Sequence, residues 1–299
     1  MTGESGPTAA TRAFTAARRA EALGGRLPPL LVHAERIAAT VAQGVHGRRR
    51  VGQGDSFWQF RPYLHGDPIG RIDWRQTAKS DRAYVRETEW EAAQTVCLWR
   101  DASASMRWRS RGMETEKLER ADLLLLALSS LLLRAGERVL LMGAEEMGGA
   151  SWGRSGLERL AQTLALLPDG SGLPPDRPMP RHARAVLIGD FLAPLAEIEA
   201  AIGRLAARPV RGHLLMVLDP AETALPFSGR VRFRGMEREA DTLIPKVESI
   251  RDAYGAALAA QIDGIATLCG AAGFSFAMHR TDHSAESALL GLYSALAPG

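Results

Sequence analysis

Thr95-Val96-Cys97-Leu98-Trp99-Arg100-Asp101-Ala102-Ser103-Ala104-Ser105 is the stretch on which the fold of this chain turns. Its first five residues form a short apolar run of the kind that fills a buried strand. The run ends at Arg100-Asp101, a small polar turn follows, and a long helical stretch then extends from about Met113 to Arg134, with Gly136 as its stop. The same alternation continues downstream. Residues 138–142, 183–188, 213–218 and 274–278 read as strands. Residues 157–167, 195–207, 244–269 and 285–296 read as helices. A chain that alternates in this way folds as an α/β domain around a doubly wound, mainly parallel sheet.

Upstream the character differs. Residues 1–10 read as disordered, and 11–23 and 31–43 as helices broken by Gly24-Gly25 and Pro28-Pro29. Residues 44–56 are rich in Gly and Arg and read as a loop. Between Phe57 and Trp90, aromatic and charged residues crowd together around a Gly66-Asp67-Pro68 turn, which fits short strands better than long helices. The expected organisation is therefore a helical, Arg-rich segment over 1–50, a small β-rich element over 51–93 and the α/β domain over 94–299.

Bulk properties exclude several classes. With 299 residues, 46% hydrophobic and 24% charged, the chain can bury a sizeable core without staples. Cys97 and Cys269, both in apolar surroundings, are expected to be buried thiols rather than a disulfide. The formal charge is +3, yet residues 1–50 hold eight Arg against three Glu, so the positive excess lies there. The run Arg48-Arg49-Arg50 reads as a solvated stretch or an anchor for an acidic partner, and no nucleic-acid-binding motif accompanies it. The longest apolar stretch, Leu123 to Leu133, is eleven residues long, against the roughly 20 needed to span a bilayer. The polar first ten residues lack a secretory core, so the expected location is the cytoplasm.

Three expected strands end in an aspartate: Asp101, Asp190 and Asp219. In open parallel sheets, ligands gather at the carboxyl ends of strands. Asp101, Ser103 and Ser105 form an Asp-x-Ser-x-Ser turn that can aim one carboxylate and two hydroxyls at a single point. All three are hard oxygen donors of the kind Mg²⁺ or Mn²⁺ accepts while keeping several waters. Ser and Asp also cap helices and build turns, and Asp219, followed by Pro220, reads as a turn residue.

Further motifs carry a resemblance. Gly52-Gln53-Gly54-Asp55-Ser56-Phe57, Arg61-Pro62-Tyr63-Leu64-His65-Gly66-Asp67, Arg71-Ile72-Asp73-Trp74-Arg75-Gln76-Thr77-Ala78-Lys79 and Val85-Arg86-Glu87 precede the Asp-x-Ser-x-Ser strand. In these blocks the chain resembles the bacterial proteins grouped as domain of unknown function fifty-eight, from about Val51 to Leu296. The resemblance implies a von Willebrand factor A-like core and a partnership with a MoxR-type AAA+ ATPase, or with its client, in chaperone-like assembly. It also implies a metal-ion-dependent adhesion site. Asp101, Ser103 and Ser105 match the first motif of that site and Asp190 the later aspartate, with Gly189 where Ser or Thr is more usual. Ser171, in Asp169-Gly170-Ser171-Gly172, stands where the family has a threonine-containing loop.

Other clusters read more plainly. Arg61, Asp67, Arg71, Asp73 and Arg75 among Trp58, Tyr63 and Trp74 suit an ion-pair and cation–π network. His279 and His283 are placed in a strand-to-helix loop, where turn and capping roles outweigh zinc binding. No nucleophile elbow, P-loop or dinucleotide fingerprint occurs. The expectation is a cytoplasmic, non-catalytic protein-interaction module. A metal-dependent hydrolase and a metal-free scaffold are the alternatives.

Overall fold

The computed structural model of the chain describes residues 30–42, 57–63, 72–79, 82–88, 94–144, 149–168, 170, 172–236 and 240–296. Two compact units are present: residues 1–44 together with 94–299, and residues 45–93. The helix expected over 11–23 and the loop over 44–56 lie outside the described residues, as does the Arg48–Arg50 run.

In the smaller unit, β1 (Phe57–Pro62) and β2 (Tyr84–Thr88) pair antiparallel. Between them lies the short helix α2 (Trp74–Thr77), capped by Asp73, whose carboxylate accepts the backbone N–H groups of Arg75 and Gln76. Asp73 is thus a helix cap. Asp67 and Arg71, expected beside it in a network, lie outside the described residues.

The larger unit opens with helix α1, residues 30–42. Its buried Ala34, Ile37, Ala38 and Val41 follow the i, i+3, i+4, i+7 spacing of one helical face. The central sheet consists of β3 (Thr95–Arg100), β4 (Arg138–Leu141), β5 (Arg184–Gly189), β6 (Arg211–Leu218) and, later in the chain, β9 (Ser275–Arg280). All five are parallel, in the spatial order β4-β3-β5-β6-β9. Alternate side chains take opposite faces. Cys97, Trp99, Leu187, Leu214 and Met216 pack with α5 (Leu195–Ala206) and α7 (Arg251–Ala271). The other face is covered by α3 (Lys117–Arg134), α4 (Arg154–Leu166) and α8 (Ala285–Ala295). Both cysteines are buried thiols. Gly212 lets Phe274 lie against β6, since a Cβ there would fall 2.1 Å from the ring.

Three boundaries differ from the sequence reading. Helix α3 begins at Lys117 rather than Met113, because Glu116 and Glu119 form a reciprocal cap that sets its first turn. The helix expected from Ile244 begins at Arg251. Before it runs an antiparallel hairpin, β7 (Val231–Phe233) with β8 (Thr242–Ile244), whose three-residue strands are too short to leave a period-2 signal. His279 lies within β9 and not in a loop, because β9 continues to Arg280 in register with Leu218. Asp219 caps the short helix α6 (Pro220–Ala224). Among the described residues, no helix is long and apolar enough to cross a membrane.

Candidate functional site

Strand order makes the site. β3 is followed in sequence by β4 on one side and later by β5 on the other, so the winding reverses between β3 and β5. At such a switch point the loops after the two strands diverge and leave a crevice at their carboxyl ends. Asp101 follows β3 and Asp190 follows β5, so both lie at that switch point, buried. The backbone N–H of Asp101 still bonds Ile188 O at 2.8 Å, which continues the ladder one residue past β3.

The sequence-predicted residues meet there. Asp101 is fully buried, and its Oδ1 accepts the Ser103 N–H at 2.7 Å. The Ser103 and Ser105 hydroxyls lie 3.0 Å apart, and Ser105 Oγ donates to Asp190 Oδ2 at 2.6 Å. A serine has one hydroxyl proton. Ser105 gives its proton to Asp190, so Ser103 is the donor between the two serines.

Glycines allow the closeness. A Cβ on Gly189 would fall 2.9 Å from the Asp101 Cβ, so the Ser or Thr more usual at this position does not fit without a shift. Gly172 passes over Asp101 and Ser103, where a Cβ would lie 3.6 Å from Asp101 Oδ2. Ser171 and Asp169 lie outside the described residues. After Asp190 the chain is turned by Phe191 at φ 47°, a left-handed conformation costly for a bulky residue. Two contacts hold it: its ring is buried 6.0 Å from that of Trp99, and Gln261 Nε2 donates to the carbonyls of Phe191 and Ala193.

The sequence reading missed the group at the centre of the cluster. Lys117, the first residue of α3, is completely buried. Its ammonium donates to Asp190 Oδ2 at 2.9 Å and to Glu222 Oε1 at 2.5 Å. The other Glu222 oxygen accepts the Asp219 N–H, while the Asp219 carboxylate accepts the N–H groups of Ala221 and Ser110. Burial by itself lowers the basicity of the Lys117 ammonium, but the two carboxylates outweigh it and hold the group above its ordinary value. Glu222 is pushed up by burial against the opposing pull of Lys117. A signal existed for Glu222, since Asp219-Pro220-Ala221-Glu222 is a capping-box pattern with Pro at the first helical position. Lys117 sits in Glu114-Thr115-Glu116-Lys117-Leu118-Glu119-Arg120, where it is indistinguishable from a solvated charge.

The histidines are structural. Arg120, one turn into α3, bonds His279 Nε2 at 3.0 Å and donates to the carbonyls of Thr281 and His283. Burial, with the Arg120 charge, pulls His279 down to about 4. Its neighbour His283 is exposed. Among the described residues no three His, Cys, Asp or Glu side chains gather as a metal cage.

Comparison with known proteins follows this geometry. The model of the family described as protein of unknown function DUF58 matches residues 59–263. The chain belongs to that family. It is 28% identical over 261 residues to the uncharacterized protein Rv1480 of Mycobacterium tuberculosis (strain ATCC 25618 / H37Rv), covering 81% of this chain and 80% of that one. The uncharacterized protein Mb1516 of Mycobacterium bovis matches equally. Among solved structures, the conserved hypothetical protein BatB from Bacteroides thetaiotaomicron aligns at 16% identity with a TM-score of 0.39, over 68% of this chain and 98% of that one. The PilB minor pilin from Streptococcus sanguinis aligns at 13% identity with a TM-score of 0.33, over 71% and 63%. Those two scores are too low to inform the site of this DUF58 chain.

Proposed function

We propose that this DUF58 chain is a cytoplasmic protein-binding module of von Willebrand factor A-like type, whose docking site is the β3–β5 crevice. Asp101, Ser103 and Ser105 hold Mg²⁺ or Mn²⁺ there, and an acidic side chain of the partner completes the coordination. The observation that carries the reading is the 3.0 Å spacing of the two serine hydroxyls beside a buried carboxylate. Oxygen ligands at right angles on an ion with bonds of 2.0–2.1 Å lie about 3.0 Å apart. The donor set is hard oxygen throughout, which suits these ions. When bound, the ion supplies a positive charge for a carboxylate to neutralise.

The chain's own residues set the remaining features of the site. Asp190 takes the Ser105 proton, which turns that hydroxyl's lone pairs away from the carboxylate. Leu192, two residues beyond Asp190 and 43% exposed, offers an apolar rim contact. The partner is a MoxR-type AAA+ ATPase or a client it remodels, through the association that the family resemblance implies.

A hydrolase reading has less support, because the candidate base at the site, Glu222, is occupied by Lys117 and the Asp219 N–H. A metal-free scaffold is the second reading, and the buried Lys117 ammonium against Asp190 favours it.

Calorimetric titration with Mn²⁺ tests the site. Wild type is expected to bind one ion and Asp101→Ala none, with the fold retained. Equal behaviour of the two rejects the metal reading. Capture of the MoxR-type ATPase in Mg²⁺ and in EDTA tests the partner, and no capture in either rejects it.

A further inference from the structure

We infer that Lys117 is a tethered cation whose ammonium assembles this end of the sheet, so that the Ser103–Ser105–Asp190 geometry stands with no divalent ion bound. The inference goes beyond the metal reading and holds whichever way that reading is decided.

The argument begins with charge. Asp190 and Glu222 follow different strands, and both bring carboxylates to the same buried point. Two carboxylates that share a desolvated site repel, and one must protonate unless a cation lies between them. An ion from solvent would meet that need only while bound. Lys117 meets it permanently, because its backbone is locked in the capped first turn of α3. With no exposed surface, its ammonium is cut off from bulk solvent and relies on these partners. The nearest exchangeable cation position, the Ser103–Ser105 pair, is linked to the same Asp190 oxygen through Ser105. That oxygen therefore already has two donors, a hydroxyl and an ammonium, and Asp190 serves as a second-layer carboxylate instead of a direct ligand.

Connectivity gives the second line. Lys117 belongs to α3, Asp190 to the loop after β5 and Glu222 to α6 after β6. Through Ser105 the network reaches the loop after β3. One side chain thus ties together the carboxyl ends of β3, β5 and β6. Backbone groups report on its integrity, since the Leu192 N–H is held by Asp190 and the Asp219 N–H by Glu222.

The test is hydrogen exchange on the full chain, followed by mass spectrometry in EDTA and in Mn²⁺, for wild type, Lys117→Met and the triple variant Lys117→Met/Asp190→Asn/Glu222→Gln. Wild type is expected to be protected in EDTA over residues 103–110, 190–193 and 219–224, with any further slowing in Mn²⁺ confined to 103–110. In EDTA, Lys117→Met should exchange these segments at least tenfold faster while 195–206 changes little. The triple variant keeps hydrogen-bonding amides with no net charge and should return toward wild-type rates. Wild-type residues 190–193 or 219–224 left unprotected in EDTA overturn the inference, as does a Lys117→Met protein with unchanged exchange. A triple variant as loose as the single one also overturns it, because the lysine would then act by packing. If Lys117→Met does not accumulate as folded protein, the triple variant decides: a cooperative melt supports the tethered cation, and an unfolded chain rejects it. The Asp101→Ala titration reports on the metal reading separately, so either can fail alone.

Discussion

Along the body of α3, Leu124, Leu125, Leu126 and Leu128 are apolar side chains with no exposed surface. In its first turn, Lys117 and Arg120 are buried or half-buried too, yet each is surrounded by named polar partners on other elements. One helix therefore packs by two different means. The apolar body needs only volume and shape, and several similar side chains would serve. The charged turn needs a particular partner at each atom, because a buried charge without one is strongly unfavourable. The body lies under the middle of the sheet, and the turn lies at the carboxyl end, where the loops after the strands must be brought together.

This contrast can be broken at either end. Lys117→Met leaves two carboxylates without their cation and should cost about 3–5 kcal/mol, the range for breaking a buried pair from one side. Chemical denaturation of single and triple variants checks it, and a triple variant near wild type identifies charge as the cause. Leu126→Ala should cost about 2–5 kcal/mol by loss of contact and a residual cavity. Unlike Lys117→Met, it should not be rescued by any change in charge elsewhere.

Buried titratable groups add a pH dependence that the leucines lack. His279, held by Arg120, and His213, buried near the amino end of β6, both fall from 6.5 to about 4 in the folded chain. A base whose folded value is depressed binds fewer protons when folded, so stability is present above 6.5 and is lost as pH falls toward 4. Each histidine is worth about 3 kcal/mol over that window. Asp122, raised by burial from 3.8 to about 6 despite Arg100, acts in the opposite sense. The folded state binds its proton more tightly, so its contribution falls as pH rises through 4 to 6. The two histidines outweigh Asp122 over this window, so net stability should decline below pH 6.5, a decline tempered by Glu222, which burial raises in the same sense as Asp122. A melting-temperature profile checks this, and His279→Gln, whose amide can still accept from Arg120, should flatten it.

The smallest of these changes is aimed at the crevice itself. Gly189→Ala places a methyl 2.9 Å from the Asp101 Cβ. It should cost about 1–3 kcal/mol, the range for overpacking. Its Mn²⁺ titration should weaken along with it, since Asp101 is the group displaced.

Much of the fold was legible because strand and helix periods are local. The run Thr95–Trp99, the polar turn at Asp101 and the leucine-rich helix declared a parallel α/β sheet, and Asp101, Ser103, Ser105 and Asp190 were found from their places at strand ends. Gly189 was visible as a departure from the family pattern, but its reason, the nearness of Asp101, required the register of β3 against β5. The β7–β8 hairpin escaped notice because three residues are too few to show a period.

By itself, then, the sequence determined the strands of the central sheet, their alternation with helices and the carboxylate and hydroxyls after β3, all properties of neighbouring residues. Only the tertiary structure decided the strand order that puts Asp101 beside Asp190, and the choice of Lys117 as the buried cation of Asp190 and Glu222. The physical reason is that burial of a charge is not encoded at its own position. Lys117 meets Asp190 across 73 residues and Glu222 across 105. Until those chains come together, it is one more lysine in a run of charges.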